Sequence, residues 1–254
     1  AVPFAAWELP EEAARWCLSY AGPTPTDLDA VGYSYDPELV DHSLDGLDPS
    51  WEELRTTYAR RAPYFLRTAL PGLDPRIVRF VRHHVAHAAS SGLCGPHEDS
   101  AVLVSDGRGE ATSYLAGEYR DGKLIEVASQ SLPHSLGLCY EELTEHLGFR
   151  RSSDEYKVMA MASYGRPTFL ADVAEVVRAT GDGGFVALPP AWERFAPALA
   201  SGDGWTPAHA DLAASVQRRL EQVLLELAEW LHARTGCRRL AMAGGVATPV
   251  PARR

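Results

Sequence analysis

An α/β domain built on a mixed sheet is the fold class this sequence predicts, and three observations predict it. Short runs of apolar and β-branched residues alternate with longer stretches whose apolar residues recur three and four apart. One antiparallel hairpin, "ATSYLAGEYRDGKLIEVASQ" about the Asp121-Gly122 turn, interrupts that alternation. The 254 residues are 46% hydrophobic and 23% charged, a balance able to fill a core.

The elements follow in order. "PEEAARWCLSYAG" reads as a helix that starts at Pro10 and is closed by Gly22. "DLDAVGYSY" reads as a strand. "PSWEELRTTYARRAPYFLRTAL" reads as a long helix with Ser50 as its N-cap. "RIVRFVR" is a strand that runs directly into His83, and "AHAASSGL" has the small residues of a closely packed helix. "SAVLVSDG" is a buried strand with Asp106 at its C-terminal end, and the hairpin comes next. A helix is predicted from Ser135 to about Leu147, capped by Gly148. "DEYKVMAMASYG" gives another helix, ending before Gly165, and "FLADVAEVVRATGDGG" a third. Residues 183–206 are rich in Pro, Trp and Gly and read as irregular. "HADLAASVQRRLEQVLLELAEWLHARTG" is a long amphipathic helix closed by Gly236, and "RRLAMAGGVA" a last strand and glycine turn.

Charge and composition exclude some functions. A net charge of −10 argues against broad nucleic-acid binding. No apolar run approaches the ~20 residues a membrane span needs, and no signal-peptide pattern is present. Cys17, Cys94, Cys139 and Cys237 are far apart with no CxxC pair, which points to a reduced, cytoplasmic setting. The chain begins at Ala1 and ends in "TPVPARR", with Pro249 and Pro251, straight after a glycine turn. The fold is therefore expected to be incomplete at both ends. Lysine occurs only at Lys123 and Lys157, so a lysine inside a motif stands out.

Five stretches carry candidate chemistry. In "RHHVAHAAS", His83 and His87 are four apart and share one helix face, as two metal ligands must. His84 points elsewhere. Asp106, at the end of the following strand, is the candidate third ligand, since strand C-termini gather at the ligand crevice of parallel sheets. Two imidazoles and a carboxylate suit non-haem iron, zinc or manganese; plain surface or core histidines have the same spacing. In "SDGRGE", Gly107 and Gly109 leave backbone N–H groups open to a phosphate, and Glu110 can reach a ribose hydroxyl or a metal-bound water. The alternative is a simple hairpin turn. Lys157 offers a point charge to a nucleotide phosphate or sits on a solvated helix face. Gly244 and Gly245 allow a ligand close to the backbone or form a packing turn. His134 in "SLPHSLG" reaches a ligand or lies at the surface.

Together, "HHVAHAAS", "VSDGRGE", "LPHSLGLCYEELTEHLGF", "DEYKVMAMASYGRP" and "AMAGGVA" resemble the O-carbamoyltransferase family of nodulation and antibiotic biosynthesis, over nearly the whole chain. The resemblance implies an actin-like ATPase (ribonuclease H-like) fold. Residues 1–254 would be a partial N-terminal domain, and the YrdC-like domain that handles carbamoyl phosphate would be absent. It implies that a carbamoyl group passes from carbamoyl phosphate, through carbamoyl-adenylate made with ATP, to a small-molecule hydroxyl. A ferrous or other divalent ion is implied at His83, His87 and Asp106. Gly107, Gly109, Glu110, Lys157, Gly244 and Gly245 are implied on the nucleotide side, with no catalytic residue assigned. ATP, carbamoyl phosphate and the acceptor are the implied partners, with neither nucleic acid nor membrane. The family usually carries an earlier His-Asp strand, and after "GGVA" an Asn and a further aspartate ligand; these are missing here, so this chain alone is expected not to carbamoylate. A threonylcarbamoyl-tRNA-type metalloenzyme and a non-catalytic metal- or nucleotide-binding remnant are the alternatives.

Overall fold

The computed structural model describes residues 9–41, 43 and 49–247. The features read at Ala1, Pro249 and Pro251 lie outside the described residues. The chain divides into two compact units, Ala1–Ala86 and His87–Arg254. The division falls inside one continuous helix, α3 (His83–Gly92).

The first unit holds helices α1 (Glu11–Ala21) and α2 (Pro49–Ala69) and strands β1 (Val31–Tyr33) and β2 (Val78–Phe80). β1 and β2 pair in parallel, Val31 opposite Val78 and Tyr33 opposite Phe80. Leu66, Ala69, Leu70, Leu73 and Val78 form a small core beneath them. Gly22 ends α1 at φ +93°, in the left-handed region where a Cβ is costly, and its N–H returns to Leu18. The Arg15 guanidinium donates to the Ala69 carbonyl from Nε (3.1 Å) and Nη2 (2.8 Å), fastening α1 to the end of α2. α2 already includes Pro49, so Ser50 lies within its first turn and is not the N-cap. Proline suits a first turn, where its missing N–H has no intrahelical partner to lose.

The second unit is built on a four-stranded sheet of order β5 (Lys123–Ser131), β4 (Thr112–Arg120), β3 (Ser100–Ser105), β8 (Leu240–Ala243). β3, β4 and β5 form an antiparallel meander, and β8 adds in parallel to β3. The sheet is mixed, as the sequence indicates. Ala101 and Leu103 of β3 and Tyr114 and Ala116 of β4 face one core. That core is shared with α4 (Leu136–His146), α5 (Glu155–Ala162) and α7 (Pro207–Thr235). Leu103, Leu143, Leu212 and Leu227 are buried to 1% exposure or less, each stabilising the fold by about 1.5–3 kcal/mol. On the opposite face, the end of α3 comes so close to Tyr119 that a Cβ on Gly92 would sit 2.1 Å from its ring. The alternation of β3 therefore sends Asp106, which follows Val102 and Val104, toward α3.

Two boundaries differ from the sequence reading. The helix in "FLADVAEVVRATGDGG" stops at Val176 as α6 (Leu170–Val176), and β6 (Val177–Ala179) follows at once. β6 pairs with β7 (Phe185–Ala187), which lies inside the stretch read as irregular. The cause is local. Two consecutive valines favour extended backbone. The Asp182 carboxylate also accepts from the Gly184 N–H (3.1 Å) and the Thr180 hydroxyl (2.5 Å), folding "TGDGG" into a turn. Among the described residues, no helix is long and apolar enough to cross a membrane.

Candidate functional site

His83 and His87 stand on successive turns of α3, and Asp106 follows the last residue of β3. Their ligating atoms, one imidazole nitrogen from each histidine and one carboxylate oxygen, all lie within 4.8 Å of one another. His87 Nε2 is 3.5 Å from Asp106 Oδ2. Metal bonds of ~2.0–2.2 Å allow ligand atoms up to about 4.4 Å apart, so a small side-chain rotation gives all three a common centre.

Two members of the cluster are oriented from behind. His83 Nδ1 lies 3.0 Å from the Ser34 carbonyl. A carbonyl only accepts, so Nδ1 carries the proton and the ring's lone pair is on Nε2. The other Asp106 oxygen, Oδ1, accepts from the Gly245 N–H at 3.0 Å. That bond depends on Gly244, which adopts φ +91°; a Cβ there would sit 2.2 Å from the Ser105 carbonyl oxygen. The glycine turn after β8 is thus pressed against the end of β3, its parallel neighbour.

The loop that leaves Asp106 is held on its far side by α4. The Asp106 N–H donates to Ser113 (3.0 Å), whose hydroxyl donates to the His134 carbonyl (2.6 Å). Ser135 caps α4 by accepting from Leu138 N (3.1 Å), and its hydroxyl donates to the Gly107 carbonyl at 2.5 Å. A Cβ on Gly137 would come within 2.6 Å of the Gly107 backbone, so α4 meets the loop in direct contact. The Gly109 N–H donates to Thr112 at 2.7 Å and serves the turn itself. Glu110 is buried, 5% exposed, just before β4.

Lys157, on α5, is paired with Asp154 at 2.9 Å with its side chain 41% exposed. That hydrogen bond raises the Lys157 ammonium above its usual pKa and lowers the Asp154 carboxyl. Its neighbour Glu155 is shifted upward, chiefly by burial. His134 is half-buried, and its Nδ1 has no hydrogen-bond partner among the described residues.

His83, His87 and Asp106 form one cluster, with Gly244, Gly245 and Gly107 beside it. Lys157 stands on another element with a local partner. Sequence reasoning missed Gly137, Glu141 and Ser152. Glu141 Oε1 lies 3.0 Å from where a Gly107 Cβ would be, and Glu141 Oε2 accepts from the Ser152 hydroxyl at 2.8 Å. Only the glycine in "SLGL", unusual near a helix start, hinted at this approach.

Fold and cluster define a mixed-sheet α/β protein with a His–His–Asp group at the end of a parallel strand pair. The particular family follows from comparison with known proteins. A family model described as Carbamoyltransferase N-terminus matches residues 38–186 and 194–252, and the chain belongs to that family. It is 31% identical to the nodulation protein NolNO of Sinorhizobium fredii over 250 residues, 94% of this chain and 36% of the relative. It is 33% identical to NolO of Bradyrhizobium diazoefficiens over 172 residues, 66% of this chain and 31% of the relative. With protein sll1178 of Synechocystis the identity is 28%, over 94% of this chain and 44% of the relative. The chain thus spans less than half the length of these curated relatives.

Proposed function

We propose that this chain is the metal- and nucleotide-binding portion of an O-carbamoyltransferase, with the fold of the actin-like ATPases. The intact enzyme moves a carbamoyl group from carbamoyl phosphate, through carbamoyl-adenylate formed with ATP, to a hydroxyl of a sugar or secondary metabolite. The observation that carries this reading is the convergence of His83, His87 and Asp106 in a member of the carbamoyltransferase family.

Two imidazoles and a carboxylate fit ferrous iron or another divalent ion, and these three residues would hold it. When bound, such an ion offsets phosphate charge and polarises the reacting group. The rest falls to the chain. The Ser34 carbonyl fixes the tautomer of His83, and the Gly245 N–H fixes the rotation of Asp106. Gly107, with Gly109 and Glu110 shaping its loop, forms the nucleotide-facing wall. Gly244 and Gly245, packed against Ser105 and Asp106, form the adenosine-side turn in this reading, and Lys157 lends charge toward the phosphates. Holding the adenylate in one orientation is the main contribution we assign to these residues. In the transfer step the acceptor oxygen bonds to the carbamoyl carbon, that carbon's bond to the AMP oxygen breaks, AMP leaves with the bonding pair, and the hydroxyl proton passes to solvent. A cytoplasmic setting, with nodulation or antibiotic biosynthesis as the context, completes the reading; two relatives are nodulation proteins.

The test supplies the complete gene product with ATP, carbamoyl phosphate, ferrous iron and a panel of hydroxyl acceptors. Mass spectrometry should find a carbamoylated acceptor, and Asp106→Ala should abolish it. Product formed without ATP, or undiminished in the variant, overturns the proposal.

A further inference from the structure

We propose that His209 is a proton-operated cap on α7: its neutral ring fastens residues 201–206 to the helix, and protonation of the ring releases them. Two buried histidines from two helices hold the stretch that leads into this segment. His146, the last residue of α4, has Nε2 2.9 Å from the Ala196 carbonyl. His209, in the first turn of α7, has Nε2 2.8 Å from the next carbonyl, that of Pro197. The two residues are 8% and 1% exposed, so water hardly competes for these bonds.

The two rings answer a proton differently. A carbonyl only accepts, so Nε2 of His209 carries the ring hydrogen. Its Nδ1 accepts: the Thr206 N–H donates to it at 3.0 Å, and the Thr206 hydroxyl lies 2.8 Å away. Both sides of the ring therefore demand one neutral tautomer. Imidazolium has two donors and no acceptor. Protonation of His209 keeps the bond to Pro197 but sets a second N–H against the Thr206 N–H. It also puts positive charge in the first turn of α7, where the helix dipole disfavours it and no acidic residue offsets it. His146 has its Nδ1 3.9 Å from Glu193 Oε1, so a proton there keeps the Ala196 bond and gains an attraction. The acid response is therefore assigned to His209 and not to His146.

Other charged groups on the elements packed here have partners of their own. Asp203 Oδ2 accepts from the Ala200 N–H at 2.9 Å. Asp211 accepts from the Arg166 N–H (2.8 Å) and the Thr168 hydroxyl (3.2 Å). The Arg194 guanidinium lies over the Phe195 ring, and Glu145 lies 3.5 Å from Arg151. Up to Ala200 the chain is anchored without His209. Trp192 and Ala196 are buried, the Leu199 N–H donates to the His146 carbonyl (2.9 Å), and a Cβ on Gly148 would come within 2.8 Å of the Ala200 oxygen. Residues 201–206 are all exposed. Trp205 in that span rests on Tyr164, their ring centroids 5.8 Å apart. Histidine changes charge between about pH 5 and 8, and the neutral ring is the bonded form. The cap is thus present above that range and lost as pH falls through it, and the Trp205–Tyr164 contact goes with it.

The experiment is amide hydrogen exchange of the 254-residue chain by NMR at about pH 7.5 and about pH 5.5, corrected for the intrinsic pH dependence of exchange. Wild type, His209→Gln and His146→Gln are compared; glutamine keeps one acceptor and one donor and does not titrate. In wild type, protection of the Thr206, His209 and Ala210 amides should fall about tenfold at the lower pH, the size of a lost helix cap. The β3 and β4 amides should keep theirs, and the contact between the Trp205 and Tyr164 rings should disappear. His146→Gln should behave as wild type, and His209→Gln should show no acid response. Unchanged protection in wild type, or an acid response that survives in His209→Gln, overturns the proposal. Should His209→Gln fail to fold, the ring signals of His209 in wild type decide. Their titration must coincide with the loss of protection at Thr206, and a ring that titrates while Thr206 stays protected overturns the proposal equally.

Discussion

Replacing Gly244 by alanine should damage the fold and the candidate site together, and the structure sets the size of the effect. Gly244 holds φ +91°, where a residue with a Cβ costs roughly 1–2 kcal/mol. The new methyl group would also sit 2.2 Å from the Ser105 carbonyl oxygen, a contact with backbone that no side-chain rotation relieves. Forced overpacking of this kind costs about 1–3 kcal/mol. The sum, roughly 2–5 kcal/mol, corresponds to a fall in Tm of roughly 5–15 °C for a chain of this size. To relieve the contact, the turn must move away from the end of β3, and the Gly245 N–H then leaves Asp106 Oδ1, now 3.0 Å away. Iron affinity should therefore fall even at temperatures where the variant is folded. Thermal unfolding followed by circular dichroism measures the first effect, and iron titration of the folded variant the second. A Tm within about 1 °C of wild type, with unchanged iron affinity, would refute the close approach of Gly244 to β3 on which both expectations depend.

Two further outcomes are expected. Burial, with Glu142 nearby, pushes the Cys139 thiol up to about 12, so it stays protonated and unreactive across the neutral range. Cys17 and Cys94 are exposed, and iodoacetamide at neutral pH should modify both while sparing Cys139 until urea is added; early modification of Cys139, read by peptide mass spectrometry, would contradict its burial. Lys157→Ala should weaken ATP binding by about three- to tenfold through loss of the charge proposed to face the phosphates; unchanged affinity by calorimetry would leave Lys157 as the partner of Asp154 alone.

Much of the fold is written in local signals. Ser135 before "LGLCYEEL" and Gly236 after "LHART" mark helix ends because capping depends on neighbours in sequence, and both stand where expected. The cluster was legible for a similar reason. Two of its members are four apart on one helix, and the third ends the next strand, so periodicity and strand order suffice to bring them together. Val177 shows where such reading stops. It extends an apolar helical pattern, yet the turn made by Thr180, Asp182 and Gly184 sets that stretch as a strand. Glu141 shows the deeper limit. Its approach to Gly107 joins residues far apart in sequence, and nothing local distinguishes it from Glu142 or Glu145 on the same helix. Contacts between elements that the chain brings together late leave no periodic trace.

His83, His87 and Asp106 are proposed to hold one divalent ion together. The direct measurement is anaerobic titration of the chain with ferrous iron, read by metal analysis after gel filtration, for wild type, His87→Ala and Asp106→Ala. One iron per wild-type chain is expected, with loss of stoichiometric binding in each folded variant. A folded wild type that retains no iron, or variants that retain it in full, would contradict it.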